Sequence, residues 1–121
     1  MAKRRIDPLT GMELVRIFAS GMELSTPDLR TAVRFALEEF AERHPGRSVE
    51  IRIPLIGAVQ AIEGPAHRRG TPPNVVEMDG TSWLELAIGV EPSGKVSWSG
   101  TRADLTEYFP LFTAQMLGDR P

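Results

Sequence analysis

The sequence predicts an α+β protein in which helices cover one face of a mainly antiparallel sheet of about four strands. Two helix-start signals, each followed by apolar residues at helical spacing, occupy the stretch from Asp7 to His44. The pattern then changes to a period of two at Ser48, and three strand-like segments follow in succession. A further helix, strand and helix complete the order ααβββαβα, with helices clustered toward the ends as in α+β architectures.

Asp7-Pro8 opens the first helix: Asp7 can cap exposed N–H groups, and Pro8 fits the first helical position, where its missing N–H costs nothing. Thr10-Gly11-Met12-Glu13 offers a second capping box slightly later. This helix runs to about Ser20, with Leu14, Ile17 and Phe18 on one face and Gly21 available to end it. Ser25-Thr26-Pro27-Asp28 is the strongest start signal in the chain. The helix it opens reaches near His44, with Leu29, Val33, Ala36, Leu37 and Phe40 as its buried stripe, and Pro45-Gly46 stops it. Arg34–Glu38 and Glu39–Arg43 are spaced as i,i+4 pairs on its wet side. His44, at the helix end, reads as a cation favoured by the helix dipole.

In Ser48–Ile53, Val49, Ile51 and Ile53 point one way while Glu50 and Arg52 point the other. Pro54 ends that strand. Ile56 to Glu63 reads as a second strand of poorer alternation, in which Val59 and Ala61 share one face and Gln60 lies on the other. The heavily punctuated loop Gly64–Pro73 precedes a short third strand around Asn74–Met78. Asp79-Gly80-Thr81-Ser82 caps a helix over Trp83–Ile88 that Gly89 closes in a left-handed conformation. Gly94–Gly100 alternates again, with Val96 and Trp98 facing inward. Thr101-Arg102-Ala103-Asp104 opens a last helix carrying Leu105, Tyr108 and Phe109, kinked or restarted at Pro110 before Phe112 and Met116.

The 121 residues suit one domain, residues 1–121, with a single core. The absence of Cys excludes a disulfide scaffold, an iron–sulfur site, a thiol nucleophile and a zinc ribbon. A net charge of −2, with 14 basic residues against 16 acidic, argues against a general nucleic-acid binder. No segment supplies the ~20 consecutive apolar residues of a membrane span. Lys3-Arg4-Arg5 is followed by Ile6-Asp7-Pro8 where a secretion signal needs an apolar run, so a cytoplasmic protein without stable membrane insertion is expected.

No catalytic or nucleotide-binding signature is present: no GxSxG elbow, GxGxxG or Walker loop, HExxH or EF-hand pattern. His44 and His67 have no ligand-like spacing, so neither a metal nor a cofactor is expected. Arg68 and Arg69, beside flexible glycines, suit a phosphate or carboxylate head group, although the same run also reads as a solvated turn. The aromatic and Met set has two readings as well. Phe18, Phe35, Phe40, Trp83, Trp98, Tyr108, Phe109, Phe112 and Met116 form either a plain core or the lining of a gap, in which Phe35, Phe40, Trp83, Trp98, Phe109, Phe112 and Met116, with Val59 and Gln60, wall an apolar pocket between helices and sheet.

Residues Arg30 to Gly89 carry a resemblance. Arg30–Arg34, Pro45–Glu50, Gly57–Gly64 and Arg69–Glu77 resemble small actinobacterial sterol carrier family proteins. Trp83–Gly89, with Gly94 to Leu111, resembles the matching half of the wider type-two sterol carrier fold. The Gly70-Thr71-Pro72-Pro73-Asn74 loop is fairly specific to the small bacterial group; the helix-Gly and Gly-strand-Gly pieces are weaker signals.

The resemblance implies a sterol-carrier-like fold and a non-catalytic carrier that holds a lipid, sterol or fatty acyl group in an apolar cavity. Family members usually carry a longer segment between the Gly that closes the helix and the next strand, whereas here only Val90–Ser93 separate Gly89 from Gly94. That departure leaves three alternatives: an open pocket, a pocket shared with a partner chain, or one collapsed into core. An open pocket exposes apolar surface and favours a homodimer; a collapsed one favours an accessory domain with a filled core that docks on a partner enzyme.

Overall fold

The computed structural model describes residues 5–64, 74–100 and 105–118. The elements are α1 (Pro8–Ala19), α2 (Thr26–Arg43), β1 (Val49–Ile53), β2 (Gly57–Ala61), β3 (Asn74–Glu77), α3 (Gly80–Ala87), β4 (Ser97–Ser99) and a 3-10 turn at Thr106–Tyr108. Their order reproduces ααβββαβα, and the fold is α+β.

Local chemistry accounts for the helix starts. Asp7 accepts from the Thr10 backbone N–H at 3.1 Å, Ser25 from that of Asp28 at 3.2 Å, and Asp79 from that of Ser82 at 2.7 Å. Each side chain satisfies a donor that the first helical turn leaves open. Gly21 and Gly89 follow the first and third helices at φ +90° and +86°, as the sequence leads one to expect.

α2 is buried more widely than its predicted stripe. Ala32, Phe35 and Ala41 are buried along with Val33, Ala36, Leu37 and Phe40, because α1 packs on one side of the helix while the sheet and α3 occupy others. Glu39 and Arg43 form the expected pair at 2.7 Å. Glu38 instead accepts from the backbone N–H groups of Arg5 and Ile6, both at 3.1 Å, and so ties down the chain before α1.

The sheet order is β2-β1-β3-β4. β1–β2 and β3–β4 are antiparallel, and β1–β3 is parallel, so the sheet is mixed and mainly antiparallel. Ile51 lies opposite both Val59 and Val76, and Val76 lies opposite Trp98, so these four share the helix-covered face. Glu50, Arg52 and Glu77 stand on the other face, where Arg52 meets Glu50 at 3.2 Å and Glu77 at 3.8 Å. A buried polar stitch joins the strand beginnings: Ser48 Oγ donates to the Ile62 carbonyl at 2.6 Å, and Asn74 Nδ2 donates to the Ser48 carbonyl at 2.8 Å.

Three predicted elements are clearly shorter than expected. β2 covers Gly57–Ala61 within the expected Ile56–Glu63, and β4 covers three residues, Ser97–Ser99. The expected last helix is reduced to the 3-10 turn, while its capping box at residues 101–104 lies outside the described residues. Phe109 precedes Pro110 and is extended, at φ −113° and ψ 149°, because a residue before proline is disfavoured in the α region. Beyond it, the Leu111 and Phe112 N–H groups both donate to the Ala87 carbonyl, at 2.8 and 2.9 Å, and thereby close the end of α3. Leu105, Leu111 and Phe112 are fully buried without a helix to carry them.

Candidate functional site

The aromatic residues expected around a pocket occupy the space between helices and sheet themselves. Phe35, Phe40, Trp83 and Phe112 are all buried. Phe35 stacks on Phe112 with ring centroids 5.7 Å apart, and Phe40 meets Trp83 at 5.9 Å and Phe109 at 5.7 Å. Rings at these separations leave little room between them, as in any close-packed interior.

The remaining candidates lie apart. Val59 is half-buried on the core face of β2, while Gln60 is exposed on the opposite face and is not brought to the apolar residues. Met116 is exposed near the C-terminal end of the described chain. Trp98 does face the core side, but β4 is at the edge of the sheet beyond the helices, and the indole remains 45 % exposed. Arg68 and Arg69 lie outside the described residues.

Open clefts at the margins of the helix–sheet layer provide the room that the interior lacks. One, of about 610 Å³, lies where the first turns of α2, the β1–β2 turn and the β3–α3 junction converge. Leu29, Ile56 and Met78 supply apolar surface, and Pro54 and Leu55 extend it outward. Leu55 is 96 % exposed and held at φ +70° at the tip of the turn. A leucine in that left-handed conformation is strained, so the turn presents an apolar side chain at a conformational cost. Arg30 and Lys95 also line this cleft, with Glu77 and Asp79. The two acids are engaged: Glu77 with Arg52, and Asp79 in capping α3. Among the described residues no ion pair engages Arg30 or Lys95.

A second cleft, of about 240 Å³, contains two of the expected pocket residues, Trp98 and Phe109, together with Leu86, Val90, Pro92 and Pro110. The short link therefore lines an open pocket. It is held against α3: the Ser93 N–H donates to Glu85 Oε1 at 2.7 Å and the Gly94 N–H to Ser82 Oγ at 2.8 Å. A side chain at position 94 would meet Asp79 Oδ2 and Ser82 Oγ at 2.6 and 2.7 Å, which explains why glycine ends the link. Behind this cleft, Trp83 meets Phe109 edge-on at 5.8 Å. Trp83 Nε1 is buried without a hydrogen-bond partner among the described residues, an arrangement that costs about 1–3 kcal/mol.

His44 departs from its expected role as a helix-end cation. It is half-buried, with Phe40 at 5.0 Å and Tyr108 at 4.7 Å, and its pKa is lowered by burial and secondarily by the neighbouring Arg43 charge. It is therefore a neutral ring in the aromatic cluster at neutral pH.

The principal cleft was not among the sequence candidates. Its one legible signal is Pro54-Leu55-Ile56, an apolar tip in a tight turn where Gly, Asn or Asp is usual. Arg30, Met78 and Lys95 come from separate segments and carry no common local pattern. No helix among the described residues is long and apolar enough to cross a membrane.

No curated protein matches the chain. The family model for bacterial SCP orthologs matches residues 25–111, from the cap of α2 to Leu111, and the chain belongs to this bacterial sterol carrier family, which suggests a lipid carrier domain.

Proposed function

We propose that the chain is a non-catalytic, single-domain cytoplasmic carrier that takes an amphipathic lipid or fatty acyl molecule into the open cleft beside the start of α2. The observation that carries this reading is the cleft itself: about 610 Å³, with Leu29, Ile56 and Met78 along it and Arg30 and Lys95 at its border. That volume falls within the ~300–1,000 Å³ range of small-molecule sites. Burying about 200 Å² of an acyl chain there contributes about 5 kcal/mol before the costs of association. The two cations orient a carboxylate or other anionic head at the solvent side.

Displacement of a dansyl-labelled undecanoate by unlabelled fatty acids tests the reading, with half-displacement expected at about 50 μM or below. Replacing both cations, Arg30→Gln with Lys95→Gln, weakens dodecanoate by about fivefold or more and leaves dodecanol nearly unchanged. Failure of the protein to bind any of these at tens of micromolar overturns it.

A second reading is favoured by the filled interior: an accessory domain that docks on a partner protein, as its own second copy or an enzyme. Trp98, half open at the edge strand, is the residue it would use. Stoichiometric co-purification with a partner, lost on Trp98→Ser, supports this reading, whereas free monomer alone counts against it.

A further inference from the structure

Trp83 is fully buried, and its indole N–H has no acceptor among the described residues. Buried donors in native proteins are normally paired, and one left open in an otherwise apolar cluster marks a place where an acceptor is missing. The two rings that meet Trp83 are Phe40 and Phe109. They differ in an instructive way. Phe40 is fully buried, whereas Phe109 is half-buried and also lines the second cleft.

We propose that this second cleft is the mouth of a gated site for a small, uncharged, oxygen-bearing apolar molecule, in which Trp83 Nε1 donates to the ligand oxygen and the Phe109 ring is the gate. The backbone around the gate is held, since the Phe109 N–H donates to the Thr106 carbonyl at 3.3 Å and the next two N–H groups donate to Ala87. Pro110 lies close against Gly89, where an added Cβ would meet it at 3.1 Å. Opening is therefore a rotation of the Phe109 side chain, without displacement of the segment. The cleft holds about 240 Å³, and a cavity of ~150 Å³ already accepts benzene, so a six-membered ring fits.

Charge weighs against acids here. Among the described residues Glu91 is the one ionisable residue lining this cleft, and it repels a carboxylate. Ketones, esters and alcohols combine an acceptor with an apolar body and match both the rings and the donor. This site shares no lining residue with the cleft beside α2, so it stands or fails separately from the carrier reading.

Titration of ¹⁵N-labelled protein with cyclohexanone and, separately, with cyclohexane tests the proposal through the two indole N–H resonances, which Trp98→Phe assigns. Cyclohexanone is expected to move the Trp83 resonance downfield and saturably, and cyclohexane to leave its hydrogen-bond shift absent. Phe109→Leu, which thins the gate while keeping an apolar side chain, is expected to tighten cyclohexanone binding severalfold. Trp83→Phe is expected to remove a preference for ketone over alkane of about fivefold. A Trp83 resonance that stays fixed at saturating cyclohexanone, or moves equally with cyclohexane, overturns the proposal whatever the variants do. Unchanged dodecanoate binding in Phe109→Leu shows that the two clefts act independently; loss of dodecanoate binding there refutes that separation.

Discussion

At the scale of the residue, His44 shows how packing reverses a role that position alone suggests. A histidine at a helix C-terminus gains from the dipole as a cation, yet here burial among Phe40 and Tyr108, reinforced by Arg43, disfavours the charged form. Its folded pKa lies below the ordinary value of 6.5, so on acidification the unfolded chain takes up the proton first. Stability from this group is intact above about pH 6.5 and is lost as pH falls through that value toward the lower folded pKa. Thermal melts between pH 7.5 and 5.5 are expected to show Tm falling with pH, and His44→Gln to reduce the fall. An identical pH dependence in the variant would sink this assignment. The tilt toward neutrality was not legible in the sequence, because Tyr108 is distant along the chain and only the fold brings its ring near.

At the scale of elements, the fit of α1 on α2 rests on one missing side chain. A Cβ at Gly11 would lie 2.2–2.6 Å from three ring atoms of Phe35, and that ring is itself stacked on Phe112. Gly11→Ala gains some helix propensity but forces a buried ring to shift, and overpacking of this kind costs about 1–3 kcal/mol. The expected result is a Tm lowered by about 5–10 °C, measurable by circular dichroism. A rise in Tm would show instead that α1 rides loosely on α2. Local signals served this level well: Asp7, Ser25 and Asp79 cap as their sequence neighbourhoods indicate. They failed for the final segment, where Pro110 sets Phe109 in an extended conformation and the carbonyl of Ala87, remote in sequence, takes the N–H groups that a helix would have used.

At the scale of the whole molecule, the alternation of Val49, Ile51 and Ile53 was enough to identify the buried face of the sheet. It could not show that β3 returns on the other side of β1 from β2, because a parallel pairing depends on a crossover and not on the strand's own residues. The same limit applies to the site. Phe35, Phe40, Trp83 and Phe112 are buried and meet ring to ring, and such contacts are properties of the assembled layers that the sequence does not display. Among the described residues, room for a ligand appears at the margins of the layers, as it does beside α2 and behind Trp98. Membership of the bacterial SCP ortholog family is compatible with these packed rings under the proposed reading, which seats a cargo in an open cleft instead of among them. The most direct test is a structure of the protein with dodecanoate bound. The account predicts the acyl chain against Leu29, Ile56 and Met78 with its carboxylate toward Arg30 and Lys95; a chain threaded among Phe35, Phe40 and Phe112, or a cleft left empty at saturating dodecanoate, would contradict it.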